Sequence, residues 1–321
     1  TIYGITIPTF TTSGSQEHTI TATSTSGFNF YGNAFFEGSI TNVSVVEVLG
    51  DKPRIDYSDS LTEPSLLLEP QSTNLVVNSE NLSVLNQTTI NLVISPDVSP
   101  SGKLNSWRAT RTGSDNRIGS SFSAVSGLTY TTSIYAKKVS GSGVINITDY
   151  QGNPSAYNLT EKWQRYTLTA SATSTTGRAY VTLQNIGDVV DFYGLQSEQL
   201  SYATSYIPTA GSTATRLGET ANNAGDVNVF NSEEGVLYAE IAALVNSGQT
   251  RRISLSDGSS NNRVTLMYST SNNSLEGFVV SGGSTQYYFS ETLTNVLNYN
   301  KIAVKYKAND FALWINGVEY D

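Results

Sequence analysis

The chain says one phrase twice, and that doubling restricts its fold more than any other feature. His18 opens HTITATSTSG, and Tyr166 opens YTLTASATSTTG. After a Gly-containing gap each is followed by a closing stretch, GSITNVSVVEV from Gly38 and GDVVDFYGLQS from Gly187. Apolar and polar residues alternate in both copies, as they do along half-buried strands. Asn42 falls opposite Asp191, an offset of about 149 residues, which is domain-sized and far above the 20–50 residues of a solenoid repeat. The chain therefore reads as a string of related β modules, beginning inside one copy.

Composition supports this and removes several functions. Only 14% of residues are charged, 19 are Tyr, and Ser, Thr, Asn and Gly fill most polar positions. Such a mixture suits strands with hydroxyl-rich outer faces and short turns. There is no Cys and one His. Disulfides, thiolate metal sites and Cys nucleophiles are excluded, and a His-based triad or multi-His zinc site is excluded within one chain. A net charge of -9 argues against nucleic acid or an anionic membrane as partner. No apolar run is long enough to insert across a bilayer. Gly-rich phosphate loops and nucleotide fingerprints are absent from the sequence.

The expected fold class is all-β, with tandem antiparallel β-sandwich (jelly-roll) modules joined by Pro-containing connectors. Residues 1–50 read as the C-terminal part of a truncated sandwich module. Residues 51–74 hold Pro53, Pro64 and Pro70, which forbid a long central strand. This segment reads as an extended connector pinned by Leu66, Leu67 and Leu68. Residues 75–207 hold eight or nine short strands, the pattern of a jelly roll. Its expected core includes Val77, Trp107, Ile134, Ile145, Ile147, Leu168, Val181, Leu183, Val190 and Phe192. A second connector covers 208–234. A third sandwich covers 235–321, and it reads as incomplete because Asn316-Gly317 is a hairpin signal close to its end. Thr1 at the start, with neither initiator Met nor signal peptide, reads as a fragment or a processed product.

Several phrases resemble a known class. LLLEPQSTNLVVNSEN, TYTTSIYAKK and ATSYIPTAGSTATR are similar to segments of tailed-bacteriophage tail-fibre and other virion appendage proteins, in which a carbohydrate-binding-like jelly roll sits between such connectors. EGVLYAEI and NKIAVKYKANDFALWINGV resemble the concanavalin A-like (laminin G-like) sandwich. The resemblance covers residues 40 to 321. It implies a structural or receptor-facing component of an extracellular virion, built as a homotrimer with other virion proteins as partners and able to hold host surface polysaccharide. A structural Ca²⁺ is also implied between the opening segment and the final strand of such a jelly roll, at Asn78, Glu80 and Asp191, whose oxygens suit a hard cation.

Sugar recognition would use aromatic faces flanked by amides and carboxylates. The candidates are Tyr150, Asn153 and Tyr157 in the second module, and Asn262, Tyr287 and Tyr288 in the third. Neighbours along a strand face opposite ways, so only one of Tyr287 and Tyr288 can point outward. Trp107, Trp163 and Trp314 read as core. A glycan hydrolase would need two facing carboxylates. Glu240 and Glu276 are the ones to weigh in the third module, and no catalytic residue is assigned. The expected function is thus a non-enzymatic virion appendage protein. A secreted bacterial carbohydrate-binding adhesin and a polysaccharide-degrading enzyme are the alternatives.

Overall fold

The chain divides into two compact units, Thr1–Lys52 and Pro53–Asp321. The computed structural model describes residues 54–56, 62, 64–148, 154–221, 225–226, 228–246 and 249–320. The partial module expected over 1–50, together with Tyr150 and Asn153, lies outside the described residues.

Three short strands open the described chain: β1 (Arg54–Asp56), β2 (Ser65–Leu67) and β3 (Ser72–Asn74). A single 3₁₀ turn at Leu82–Val84 leads into a ten-stranded sandwich. Its strands are β4 (Asn86–Thr88), β5 (Ile90–Ile94), β6 (Trp107–Arg111), β7 (Arg117–Ser123) and β8 (Thr129–Ser140). They continue with β9 (Val144–Thr148), β10 (Pro154–Asn158), β11 (Gln164–Ser171), β12 (Thr176–Leu183) and β13 (Val189–Glu198). One sheet has the order β10-β9-β12-β7-β4 and the other β11-β8-β13-β6-β5. All their pairings are antiparallel.

Alternation decides which side chains meet between these sheets. VINIT in β9 buries Ile145 and Ile147 and turns Asn146 and Thr148 away. Ile118, Ile134, Val181, Leu183, Val190 and Phe192 complete the centre of one apolar cluster. Val77 is a correction: it is 37% exposed while Val76 is fully buried. Either of two adjacent valines satisfies alternation. The choice is made by Asn74, whose side-chain oxygen accepts the Val76 and Ser197 amides while its amide donates to the Ile207 and Leu195 carbonyls.

β14 (Ala214–Arg216) follows and pairs antiparallel with β3. The two segments read as connectors thus close on each other and clasp the sandwich. Leu66 and Leu68 do not pin the first of them, being 55% and 43% exposed. Buried Glu69 does so: it takes ion pairs from Arg54 and Arg216 and the Ser205 amide at 2.8 Å. Glu219 binds Arg54 and the Glu69 amide. Fully buried Glu198 accepts from Ser72 at 2.6 Å and from the Thr204 amide at 3.0 Å.

The third module is a second two-sheet sandwich. Its strands are β15 (Glu234–Ile241), β16 (Arg251–Ser256), β17 (Arg263–Tyr268) and β18 (Ser274–Ser281). They are followed by β19 (Ser284–Thr292), β20 (Asn300–Lys307), β21 (Ala312–Ile315) and β22 (Val318–Tyr320). The sheets run β15-β20-β21-β22 and β16-β17-β18-β19. Leu237, Ile302, Val304 and Leu313 from one meet Val264, Leu266, Leu275 and Phe289 from the other. All-β sandwich architecture is therefore established for both modules. No helix among the described residues is long and apolar enough to cross a membrane.

Candidate functional site

The two sheets of the second module treat their outer faces differently, and this locates the site. In the β11-β8-β13-β6-β5 sheet, β13 is buried on both faces along nearly its whole length, as is the first half of β8 from Tyr130 to Ile134. The outward side chains Thr131, Ser133, Asp191, Tyr193 and Gln196 all lie beneath other parts of the chain. Residues 200–207 account for much of this cover, since Thr131, Arg165 and Gln196 bond to Leu200, Thr204 and Ile207. Tyr206 packs edge-on against Tyr193 at 5.2 Å and bonds the Ser79 hydroxyl at 2.6 Å. Burial pushes the Tyr193 phenol up to about 12, and burial drives Tyr206 upward as well. This face is occupied by the protein itself.

On that face Asp191 is fully buried and bound by Arg108 through two contacts of 2.8 and 2.9 Å. Ser95 donates to it at 2.8 Å, and the Lys137 ammonium stands 3.6 Å away. Lys137 and Arg108 also reach Asp97, and Lys137 holds the Asp97 carboxyl below the usual carboxylate range. Glu80 has other partners: the Asn105 amide, the Tyr193 hydroxyl and, through its carbonyl, the Trp107 indole. Asn78 is half-buried. Cations therefore surround Asp191 where a calcium ion would have to sit. No group of three or more His, Cys, Asp or Glu side chains able to hold a metal occurs among the described residues.

The β10-β9-β12-β7-β4 sheet leaves its outer face open. One register row crosses it through Pro154, Thr148, Tyr180, Gly119 and Asn86. Tyr180 lies between the buried Ala179 and Val181, so its ring must stand on the outer face. Its cross-strand neighbour is Gly119, where an added Cβ would lie 1.9 Å from the Ala179 carbonyl and 2.8 Å from the Tyr180 ring. The ring thus lies across the glycine, and its hydroxyl meets Ser121 at 3.1 Å. The Arg117 guanidinium carbon lies 5.7 Å from the ring centroid, within cation–π range.

Around the ring is an open cleft of about 330 Å³, lined by Asp115, Asn116, Arg117, Thr148, Arg178, Tyr180 and Thr182. That volume lies at the lower end of the range for small-ligand sites. Asn116 is fixed by accepting the Leu183 amide at 2.6 Å, which leaves its own amide group available. The cleft offers one aromatic face, two guanidinium groups, a carboxylate, an amide and threonine hydroxyls. This inventory suits a hydroxylated ring held by stacking and oriented by hydrogen bonds. The sequence reading missed the site. Its trace was the alternation in RAYVTL, which turns Arg178, Tyr180 and Thr182 to one side.

The residues named from sequence lie elsewhere. Tyr157 faces inward: it packs on the core, meets Tyr166 at 5.8 Å, and donates to the Thr167 carbonyl. In the third module Tyr288 is 56% exposed, while Tyr287 packs inward and stacks on Phe311 at 5.5 Å. One of the two faces outward, as alternation requires. Asn262 organises a turn, donating to Asp257 and accepting the Gly282 amide. Trp107 packs against the core and Trp163 is half-buried over Lys137. Trp314 is a correction. Leu313 and Ile315 take the core positions, so Trp314 lies on the outer face, in register with Ala303 and exposed Tyr238. Glu240 and Glu276 stand on the outer faces of different sheets with the core between them, so they do not flank a common bond.

No protein-family model matches the chain, and no curated protein matches it. Among solved structures it is similar to the tandem CBM22-1–CBM22-2 domains of Paenibacillus barcinonensis Xyn10C, with 14% identity and a TM-score of 0.32, over 78% of this chain and 85% of that one. The single CBM22-1 xylan-binding domain of the same enzyme gives 18% identity and a TM-score of 0.30, over 41% and 94%. An enzymatically active domain of bacteriophage CBA120 tailspike protein 4 gives 17% identity and a TM-score of 0.27, over 39% and 21%. Likeness at this level assigns neither a family nor a ligand.

Proposed function

We propose that this chain is a non-enzymatic, glycan-holding component of a virion appendage, with the second module as its binding unit. The observation that carries the glycan reading is the Tyr180 ring turned to the open sheet face, in a cleft also lined by the Arg117, Arg178, Asn116 and Thr148 polar groups. Stacking on a ring whose cross-strand neighbour is glycine needs little rearrangement, so ordering costs on binding are small. The virion assignment rests on the phrases LLLEPQSTN and TSYIPTAGSTATR, which the fold uses together as the clasp. A homotrimer would present three such clefts, and multivalency would make weak single sites sufficient.

Binding of the purified chain to host-type surface polysaccharides tests the glycan reading. Tyr180→Ala should weaken it at least about tenfold, equivalent to 1.4 kcal/mol, while leaving the fold intact. Unchanged binding in that variant refutes the site. Labelling with an antibody to the chain tests the location. Signal on phage particles supports the appendage, and signal anchored on bacterial cells supports the adhesin instead.

A further inference from the structure

The cleft holds a charge pattern at odds with the rest of the molecule. The chain carries a net charge of -9, yet among the described residues the cleft lining has Arg117 and Arg178 against one carboxylate, Asp115. Other arginines of this sandwich are tied down. Arg108 is paired with Asp191, Arg111 bonds the Gly113, Leu183 and Ser114 carbonyls, and Arg165 bonds Ser133 and the Thr204 carbonyl. Arg117 and Arg178 have no hydrogen-bond or ion-pair partner among the described residues, and the Arg117 Nε is buried without one. Arg165 also has a buried Nε without a partner, so what sets Arg117 and Arg178 apart is that none of their N–H groups is bonded within the described protein, which leaves two cations to take an oxyanion.

Resting on the glycan reading of the same cleft, we infer that its ligand is an acidic saccharide, whose oxyanion is taken by the Arg117 and Arg178 guanidinium groups while a sugar ring packs beside them against Tyr180. Geometry supports two roles for Arg117. Its guanidinium carbon lies 5.7 Å from the Tyr180 ring centroid, which sets the cation at the ring, and no hydrogen bond among the described residues takes its N–H groups, which leaves them for a carboxylate or sulfate. Arg178 is exposed on the next outward position of β12, two residues from Tyr180, so both cations border the ring. Asp115 disfavours a purely polyanionic ligand. It suits a sugar that presents hydroxyl donors beside its acid group. The overall negative charge would repel acidic polymers elsewhere on the surface, leaving this cleft as the favoured contact.

The test uses the intact chain with three probes: polygalacturonate oligomers, the same oligomers after reduction of their carboxyl groups, and a sulfated galactan. The inference expects saturable binding to one of the acidic probes, weakened by added salt and at least about tenfold weaker to the reduced oligomer. Arg178→Gln should reproduce that loss with the fold unchanged, and Arg117→Gln should do the same. Preference for the sulfated over the carboxylated probe identifies the oxyanion. Equal binding of the acidic and reduced oligomers, still abolished by Tyr180→Ala, overturns the charge inference and leaves the glycan reading standing. Binding of none of the probes, nor of neutral glycans, by the folded chain overturns both.

Discussion

Asp191→Ala should be the most destabilising single change in the second module. It removes a fully buried carboxylate on the central strand β13 and leaves Arg108 and Lys137 facing each other. The lost contacts are two guanidinium bonds at 2.8 and 2.9 Å and a Ser95 hydroxyl bond at 2.8 Å. Breaking one side of a buried pair costs about 3–5 kcal/mol. The lower end applies here, because the Arg108 and Lys137 side chains are 25% and 15% exposed and Asp97 remains beside them. A loss of about 3 kcal/mol lowers the melting temperature of a domain this size by about 6–12 °C. Calorimetry should show that drop in the transition of the second sandwich and none in the third, whose core is separate. The double variant Asp191→Leu with Arg108→Met should recover much of it, since apolar replacement of both partners leaves no stranded charge. A drop below about 3 °C for the single variant would refute the reasoning, because it would mean that solvent already screens the pair.

Three further outcomes follow from the same geometry. Gly194→Ala should cost about 1–3 kcal/mol, since φ there is +66° and an added Cβ would lie 3.0 Å from the Tyr206 ring; urea unfolding measures it, and an unchanged midpoint counts against the packing described. Burial raises the Asp188 carboxyl, but bonds from the Ser142 hydroxyl and amide and the Asn185 amide, with Arg111 nearby, outweigh it and hold the group below its usual value. A depressed folded value means that its stabilisation is complete above the unfolded value of about 3.9 and lost as pH falls through the folded one, so the acid limb of the stability curve should flatten in Asp188→Asn; parallel limbs would contradict this. With cations already around Asp191, exchanging calcium for a chelator should leave the melting temperature within about 1 °C, whereas a saturable rise with calcium would show that the carboxylate exchanges its partners.

The sequence carried what lies along one strand and little of what lies between distant ones. Alternation placed Ile145, Ile147, Val181, Leu183 and Phe192 in the core, and it forced Tyr287 and Tyr288 apart. It failed where two neighbours were equally apolar, as at Val76 and Val77, because the deciding bonds come from Asn74 to residues more than 120 positions away. It also failed at Trp314, where size suggested core but Leu313 and Ile315 hold the inward positions of the same strand. The clasp was hidden for a similar reason. Thr73 meets Thr215 across 142 positions, and neither segment has a pattern that announces the pairing. The cleft combines Asp115 to Arg117, Thr148 and Arg178 to Thr182, three separate stretches that only the sheet order brings together.

The division of labour between the two sheet faces bears on why the clasp segments are so rich in buried polar groups. A sandwich with two open polar faces would have two surfaces of similar chemistry. Here Glu69, Glu198, Asn74 and Thr204 are buried by segments from both ends of the module, and each has its hydrogen bonds satisfied within the protein. Such a network is expensive to form incompletely, so it favours one arrangement of the two chain ends over its alternatives. That arrangement consumes one face and leaves the face bearing Tyr180, Arg117 and Arg178 as the open one. Disrupting the clasp, for instance with Glu69→Ala, would therefore strand Arg216 and expose the covered face, while the cleft on the opposite sheet would keep its geometry as long as the core holds. Binding by the cleft in such a variant, measured below its lowered melting temperature, should remain at the wild-type level. Loss of binding there would show that the two faces are coupled through the core rather than divided by it.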